Sequence, residues 1–338
     1  MKRYGCLFEK IVSFDNLLLA AKKSLRGKKH TSQAAFFYFN LENEIIALQE
    51  KLQSKRYTPL PLRIFFIKEP KVRKIGAAHF RDRVVHHAIC NILEPVFEKS
   101  YIHHSYACRP GKGTHRAIKQ AQNFCRKYRD GYFLKCDIKK YFESIDHRLL
   151  KDMLNNKFKD QELVWLLDII IDSSDGVGKG IPIGNLTSQH FANFYLDKLD
   201  HVVKDVLRVK AYLRYMDDFI LFGNDKKELQ QLKSTISDYL CQRLHLQLKE
   251  KSILLAPCST GVPFLGFRIF PGLIRIKHEN KKRWVKKLKQ RMKEYETGKI
   301  DEQTYARCLH SMTEHVKTAN TLHFRRSLFY GKKYKGKG

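Results

Sequence analysis

Ala211-Tyr212-Leu213-Arg214-Tyr215-Met216-Asp217-Asp218-Phe219-Ile220-Leu221-Phe222 decides the reading of this chain. Ala211 to Tyr215 and Phe219 to Phe222 are short apolar runs suited to strands, and Met216-Asp217-Asp218 joins them. The expected hairpin therefore carries adjacent carboxylates at its tip, where only a cation relieves the charge. A solvated acidic turn is the plainer alternative. Upstream, Tyr132-Phe133-Leu134-Lys135-Cys136-Asp137 reads as another apolar strand ending on an acid. Two strands ending side by side would bring Asp137 and Asp217 together. Such a pair can hold two Mg²⁺ ions about 3.5–4 Å apart for an in-line phosphoryl displacement. Oxygen ligands and retained waters suit that ion.

Charge points the same way. Of 338 residues, 65 are Lys or Arg and 34 are Asp or Glu, a net charge of +31. An excess this large implies a polyanionic partner, nucleic acid first. A membrane surface fits less well, because the basic residues are spread along the chain and not gathered in one amphipathic segment. With 43% hydrophobic and 29% charged residues, a sizeable core is expected and wholesale disorder is excluded. No apolar run approaches the ~18–20 residues of a membrane-spanning helix. Glu9 and Asp15 interrupt any signal-peptide core. The expectation is a cytoplasmic protein with no membrane partner. Its eight cysteines show no C-x-x-C or zinc spacing and are expected as reduced core thiols. His86-His87 and His103-His104 lack a third ligand and are expected to pack or to touch RNA.

Along the chain, Phe14, Leu17, Leu18 and Ala21, then Leu41, Ile45, Leu48 and Leu52, recur at helical spacing, so 1–55 reads as a helical extension broken by Arg26-Gly27-Lys28-Lys29-His30. Residues 56–270 read as a mixed α/β (α+β) body. It opens on a basic hairpin, Arg63 to Lys68, a turn at Glu69-Pro70-Lys71, and a strand from Val72 to Ile75. Helices follow from Arg81 to Phe97, from Leu186 towards Val203, and over Leu229 to Leu244; strands near Ile253 to Leu255 and Phe264 to Phe270 close the body. Residues 271–338 read as a small basic helical unit: from Lys277 onward, 18 Lys or Arg face 6 Asp or Glu. Trp284, Leu288, Met292 and Tyr295 form its apolar stripe, and Lys286, Lys287 and Lys289 lie on its basic face.

Tyr215-Met216-Asp217-Asp218 resembles the signature box of reverse transcriptases, and Asp137-Ile138-Lys139-Lys140-Tyr141-Phe142 resembles their upstream motif. The order of Ile67-Lys68-Glu69-Pro70 with Arg73, Arg81-Asp82-Arg83-Val84-Val85-His86-His87, Leu93-Glu94-Pro95 and Phe264-Leu265-Gly266-Phe267 matches as well. Two blocks depart from the general pattern. Ser105-Tyr106-Ala107-Cys108-Arg109 replaces the Ser-Tyr-Gly-Phe-Arg form usual in group II intron enzymes, and Ile183-Gly184-Asn185-Leu186-Thr187-Ser188-Gln189 has Ile and Gln where most have Gln and Pro. Both variants resemble the reverse transcriptases of diversity-generating retroelements.

The resemblance implies a right-hand polymerase with fingers, a ferredoxin-like palm and a small helical thumb. It also implies RNA-directed DNA synthesis from deoxynucleoside triphosphates. Asp137, Asp217 and Asp218 would be catalytic, and with the Ile138 carbonyl they would hold Mg²⁺. Lys68 and Arg73 would grip the triphosphate, Phe142 would gate the 2′-hydroxyl, and Ile183, Gly184 and Gln189 would border the nucleotide. Lys251 would protonate pyrophosphate, or is simply solvated. Arg81, Arg83, Arg109, Lys112 and Ser188 would meet nucleic acid together with the basic helical face. The subfamily implies a template-repeat RNA copied into adenine-mutagenised cDNA, an RNA/cDNA duplex, and a small basic accessory variability protein that is itself oligomeric. From the length, no separate nuclease or ribonuclease H domain is expected. Alternatives are a group II intron-like or retron reverse transcriptase, and a catalytically silent RNA-binding maturase.

Overall fold

Apolar periodicity sets the helical segments, and the central strands are short, nearly continuously buried apolar runs. The computed structural model describes residues 3–27, 31–68, 72–174 and 176–329. The Lys28-Lys29-His30 part of the basic break and the Glu69-Pro70-Lys71 turn lie outside the described residues. Helices α1 (Phe8–Val12), α2 (Phe14–Ser24), α3 (Ser32–Phe39) and α4 (Leu41–Gln53) form the first stretch. They share one core with the body: Ile11, Leu17, Ala20, Ile45 and Leu48 are buried in the same cluster as Val84, Leu93 and Phe194. Asp160 ties the two together, since one of its carboxylate oxygens caps a later helix at Leu163 while the other accepts from the Leu7 and Phe8 amides at 2.9 and 2.8 Å.

Strands β1 (Arg63–Ile67) and β2 (Arg73–Ala77) form an antiparallel hairpin with Arg63 opposite Ala77. Then come α5 (Phe80–Glu98), α6 (Thr114–Lys127), β3 (Tyr132–Asp137), α7 (Tyr141–Ser144), α8 (His147–Lys157), α9 (Gln161–Asp172) and α10 (Leu186–His201). The chain returns through β4 (Ala211–Tyr215), β5 (Asp218–Gly223), α11 (Lys226–Leu244) and β6 (Leu254–Pro257). These four strands make one antiparallel sheet in the order β4-β5-β3-β6. A sheet of this order, with helices crossing between β3 and β4 and between β5 and β6, is the expected ferredoxin-like palm.

The run Phe264 to Phe270 differs from its expectation of one strand. It folds into β7 (Val262–Phe264) and β8 (Phe267–Ile269), and β9 (Ile274–Ile276) completes a three-stranded sheet beyond residue 270. Leu265 and Gly266 both take positive φ, 45° and 88°, which makes a tight hairpin turn inside an otherwise apolar stretch. The final helices are α12 (His278–Glu296), α13 (Glu302–Lys317) and α14 (Leu322–Phe329). Trp284 and Leu288 of α12 pack with Met312 and Val316 of α13 in a small cluster of their own. No described helix is long and apolar enough to cross a membrane. All eight cysteines are free, but Cys6, Cys108 and Cys241 are exposed, so these three are not the core thiols expected.

Candidate active site

Main-chain pairing assembles the acidic cluster. Asp137 ends β3, Asp218 begins β5, and the two are register partners on neighbouring strands. Tyr215 and Asp218 pair across the hairpin, leaving Met216 and Asp217 as a two-residue turn. Met216 adopts φ 57°, a left-handed conformation uncommon for a side chain of its size. A buried guanidinium supports that turn from behind. Arg214 Nη1 donates to the Met216 carbonyl at 3.0 Å and to Asn193 Oδ1 at 3.2 Å. Its Nε and Nη2 reach Asp200 at 2.7 and 2.6 Å. Arg214 and Asp200 are both fully buried, and the Tyr212 hydroxyl donates to the same Asp200 at 2.7 Å. A desolvated pair of this kind persists because each charge is matched by fixed partners.

The carboxylates themselves are crowded. Burial and the neighbouring Asp137 push Asp217 up to about 6. Burial also raises Asp218 to about 6, against the pull of Lys135, whose Nζ lies 2.5 Å from Asp218 Oδ1. Lys249 Nζ stands 3.6 Å from Asp137 Oδ2. An isolated antiparallel bridge joins Ile138 to Leu248, with Lys139 N bonded to Gln247 O and Lys249 N to Asp137 O. Because successive carbonyls alternate sides along a strand, the Ile138 carbonyl is turned to the edge where the Asp217 turn lies. Among the described residues no three His, Cys, Asp or Glu side chains are gathered closely enough to chelate an ion as they stand. The donor chemistry nevertheless suits a hard divalent cation, since Asp217 and Asp218, whose carboxyls burial and neighbouring acids raise, lie near the Asp137 carboxylate and the Ile138 carbonyl.

A cleft of about 1140 Å³ opens over this cluster. Its walls bring together Arg73, Asp137, Ile138, Phe142, Ile183, Gln189, Asp217, Asp218 and Lys251, nine of the residues expected from the sequence. Lys68 is exposed just beyond β1, does not line this cleft, and is separated from Arg73 by the turn outside the described residues. Lys286, Lys287 and Lys289 are exposed on α12, as a basic outer face requires.

Several residues sit differently from their expectation. Gly184 takes φ 120°, but the close approach it permits is to the hairpin, not to a ligand: a Cβ there would stand 2.8 Å from Ile75 Cγ2. The Gly76 amide bonds the Ile183 carbonyl at 3.0 Å, so strand β2 is laced to this loop. Ser188 is buried on α10, at 3% exposure. The Arg109 side chain is only 5% exposed, and its guanidinium is engaged by Glu98 and by the carbonyls of Ile102 and Ser105. It braces the turn after α5, with four of its five N–H donors engaged there. Arg81 bonds Asp82 and the Thr58 carbonyl, Arg83 bonds the Ala78 carbonyl, and Lys112 bonds the His103 carbonyl. Local pairing thus engages all three.

Sequence reasoning missed Lys135, Arg214 and Lys249. A charged residue inside an apolar strand was the available signal for Lys135 and Arg214, because such a residue is buried only with a partner.

A family model described as Reverse transcriptase (RNA-dependent DNA polymerase) matches residues 67–269, more than half of the chain. The chain belongs to the reverse transcriptase family. Protein YkfC from Escherichia coli (strain K12) is similar to this reverse transcriptase, 25% identical over 270 residues that cover 67% of this chain and 71% of YkfC. Group II intron-encoded protein LtrA from Lactococcus lactis subsp. cremoris is 23% identical over 330 residues, covering 76% of this chain and 54% of LtrA. The chain therefore spans about half the length of that relative. Among solved structures, the telomerase from Candida albicans in complex with the TWJ fragment of telomeric RNA is similar with a TM-score of 0.50 at 13% identity. That likeness covers 70% of this chain and 51% of the telomerase chain and is one of fold. The RNA-directed DNA polymerase domain of the present chain thus contains the whole acidic cluster.

Proposed function

We propose that the cleft over Asp137, Asp217 and Asp218 is where this reverse transcriptase joins deoxynucleoside triphosphates to a primer on an RNA template. The register that sets Asp137 opposite Asp218, with Asp217 on the turn between β4 and β5, carries this reading. Asp137, Asp217, Asp218 and the Ile138 carbonyl would hold two Mg²⁺ ions, with Lys135 and Lys249 withdrawing from the carboxylates they now face. Bound divalent ions would acidify the primer 3′-hydroxyl and offset charge on the triphosphate. Arg73, with Lys68 across the same turn, supplies cationic donors for the triphosphate. The primer 3′-oxygen forms a bond to the α-phosphorus as the bond to pyrophosphate breaks, and Lys251 at the cleft edge protonates the leaving oxygen. Phe142, half-buried on the cleft wall, would gate the 2′-hydroxyl of an incoming nucleotide.

The exposed α12 face with Lys286, Lys287 and Lys289 would track the phosphates of the RNA/cDNA duplex as a thumb; 1–55 would extend the fingers and 56–270 hold the polymerase site. Primer extension on a synthetic RNA template tests the reading. Mg²⁺-dependent DNA product from the wild-type chain and none from Asp217→Asn support it. No product from the wild-type chain overturns it and leaves a silent RNA-binding maturase.

For the element it serves, Ile183, Gln189 and the Ala107-Cys108 variant favour a diversity-generating retroelement, copying a template-repeat RNA with adenine errors in the cytoplasm beside an oligomeric basic accessory protein. Similarity to LtrA over 76% of this chain favours the second reading, a group II intron-like reverse transcriptase. Near-identical repeats in the neighbouring DNA that differ at template adenines would decide for the first, and an intron around the coding region for the second.

A further inference from the structure

The turn carrying Cys108 is bolted to α10 at consecutive residues. Asn193 Nδ2 donates to the Ala107 carbonyl at 2.6 Å, and the Cys108 thiol donates to Gln189 Oε1 at 3.2 Å. Gln189 and Asn193 lie four residues apart on α10 and so share one helix face. The far side of the turn is equally fixed. The Tyr106 amide bonds the Arg214 carbonyl at 3.0 Å, and Arg109 is anchored to Glu98 and the Ile102 and Ser105 carbonyls. Cys108 itself takes φ 50° and is exposed, on the wall of the cleft that also holds Gln189, Ile183 and Asp217.

A carboxamide has an acceptor end and a donor end. The thiol engages Oε1, so the NH₂ end of Gln189 is the one free to point into the cleft, and among the described residues it has no acceptor. We propose that Cys108 is a positioning residue: it fixes the Gln189 carboxamide so that its NH₂ meets the minor-groove edge of the terminal base pair, and the two together set how strictly matched and mismatched primer ends are distinguished. Every Watson–Crick pair presents an acceptor there, purine N3 or pyrimidine O2. A fixed donor on that edge reads the shape of the pair and not its sequence. This rests on the RNA-templated synthesis proposed above.

The test uses the full chain, a synthetic RNA template, and DNA primers with matched or mismatched 3′ ends. The readout is the mismatch-to-match ratio of kcat/KM, with kcat and KM resolved separately. Cys108→Ala should raise the ratio about two- to tenfold, the range one hydrogen bond supports. Cys108→Ser, which keeps a donor, should restore it. In a Gln189→Ala background, Cys108→Ala should have no further effect. A ratio unchanged by Cys108→Ala, a serine variant as lax as alanine, or effects that multiply in the double variant would each overturn the pairing. If the wild-type chain extends no primer, the synthesis reading falls and this inference with it; if it extends normally while the ratio stays constant, only the pairing falls.

Discussion

Asp137 and Asp218 face each other across neighbouring antiparallel strands, last residue of β3 against first residue of β5. Their spacing is therefore set by a main-chain ladder and not by side-chain contacts. Directly opposed like charges destabilise a strand pair, and two lysines, Lys135 and Lys249, face these carboxylates. The sheet holds the acids together against their repulsion.

Asp217→Asn should reduce DNA synthesis by at least about a hundredfold, the loss typical when a charge-stabilising group is removed from a reaction centre. RNA affinity should stay nearly constant, since it comes from the distributed +31 charge. Primer extension and filter binding on one preparation separate the two effects. Synthesis at the wild-type rate would refute the carboxylate assignment.

Gly184→Ala should strain the junction of hairpin and α10. Both the φ of 120° and the 2.8 Å approach to Ile75 Cγ2 oppose a side chain there, at a cost of about 1–3 kcal/mol. Adding Ile75→Ala relieves the contact but not the backbone conformation, so the double variant should recover part of the lost stability and activity. Thermal melting and primer extension check this; full recovery would mean that the backbone conformation is unimportant.

Asp197, remote from the cleft on α10, gives a pH-dependent outcome. Burial and the neighbouring Asp200 push its carboxyl from the usual 3.8 up to about 7. Between those values the folded chain binds more protons than the unfolded one. Stability therefore falls as pH climbs through this window, and the full penalty stands above it. Asp197 Oδ1 is buried without a hydrogen bond, and relieving such a group contributes about 1–3 kcal/mol. Asp197→Asn should raise the melting temperature at pH 8 and change it little at pH 5. Equal shifts at both values would contradict the raised carboxyl.

Reversing Lys286, Lys287 and Lys289 on α12 should weaken RNA/DNA duplex binding and flatten its salt dependence. Each lost phosphate contact lowers the log–log slope by about 0.7–0.9. Titrations from low to moderate salt give the slope directly, and an unchanged slope would mark this face as merely solvated.

Ile183→Gln should lower misincorporation opposite template adenine. Ile183 lines the same cleft as Phe142 and Asp217, and its branched side chain offers no hydrogen bond to a nascent pair, whereas glutamine does. About 1.4 kcal/mol of added discrimination corresponds to a tenfold drop in errors. Sequenced cDNA from matched templates measures it; an equal adenine error rate in both proteins would leave Ile183 a packing residue.

The palm was legible because its strands are short apolar runs that end on acids: β3 ends at Asp137 and β4 and β5 flank Met216-Asp217, as their sequences require. Hairpin chemistry hidden among apolar residues was not, as Leu265-Gly266 illustrates, because a positive φ at leucine leaves no mark in hydropathy. Nor can residue type alone separate an arginine that awaits phosphate from one already satisfied. Arg109 and the exposed α12 lysines look alike as letters, and only Glu98 and two carbonyls distinguish them. The contact of Cys108 with Gln189 was foreshadowed only as two separate departures from a familiar pattern, since neither departure says that the two touch.

Trp284, Leu288, Met312 and Val316 form a core apart from the one beneath the palm sheet. A unit held by so few buried side chains opens on heating before the rest of the fold. With α12 gripping the duplex as proposed, warming should then shorten the products before it stops single-nucleotide addition, because the acidic cluster stays assembled. The same polypeptide would pass from copying long templates to adding a few nucleotides at a time, with temperature alone as the control.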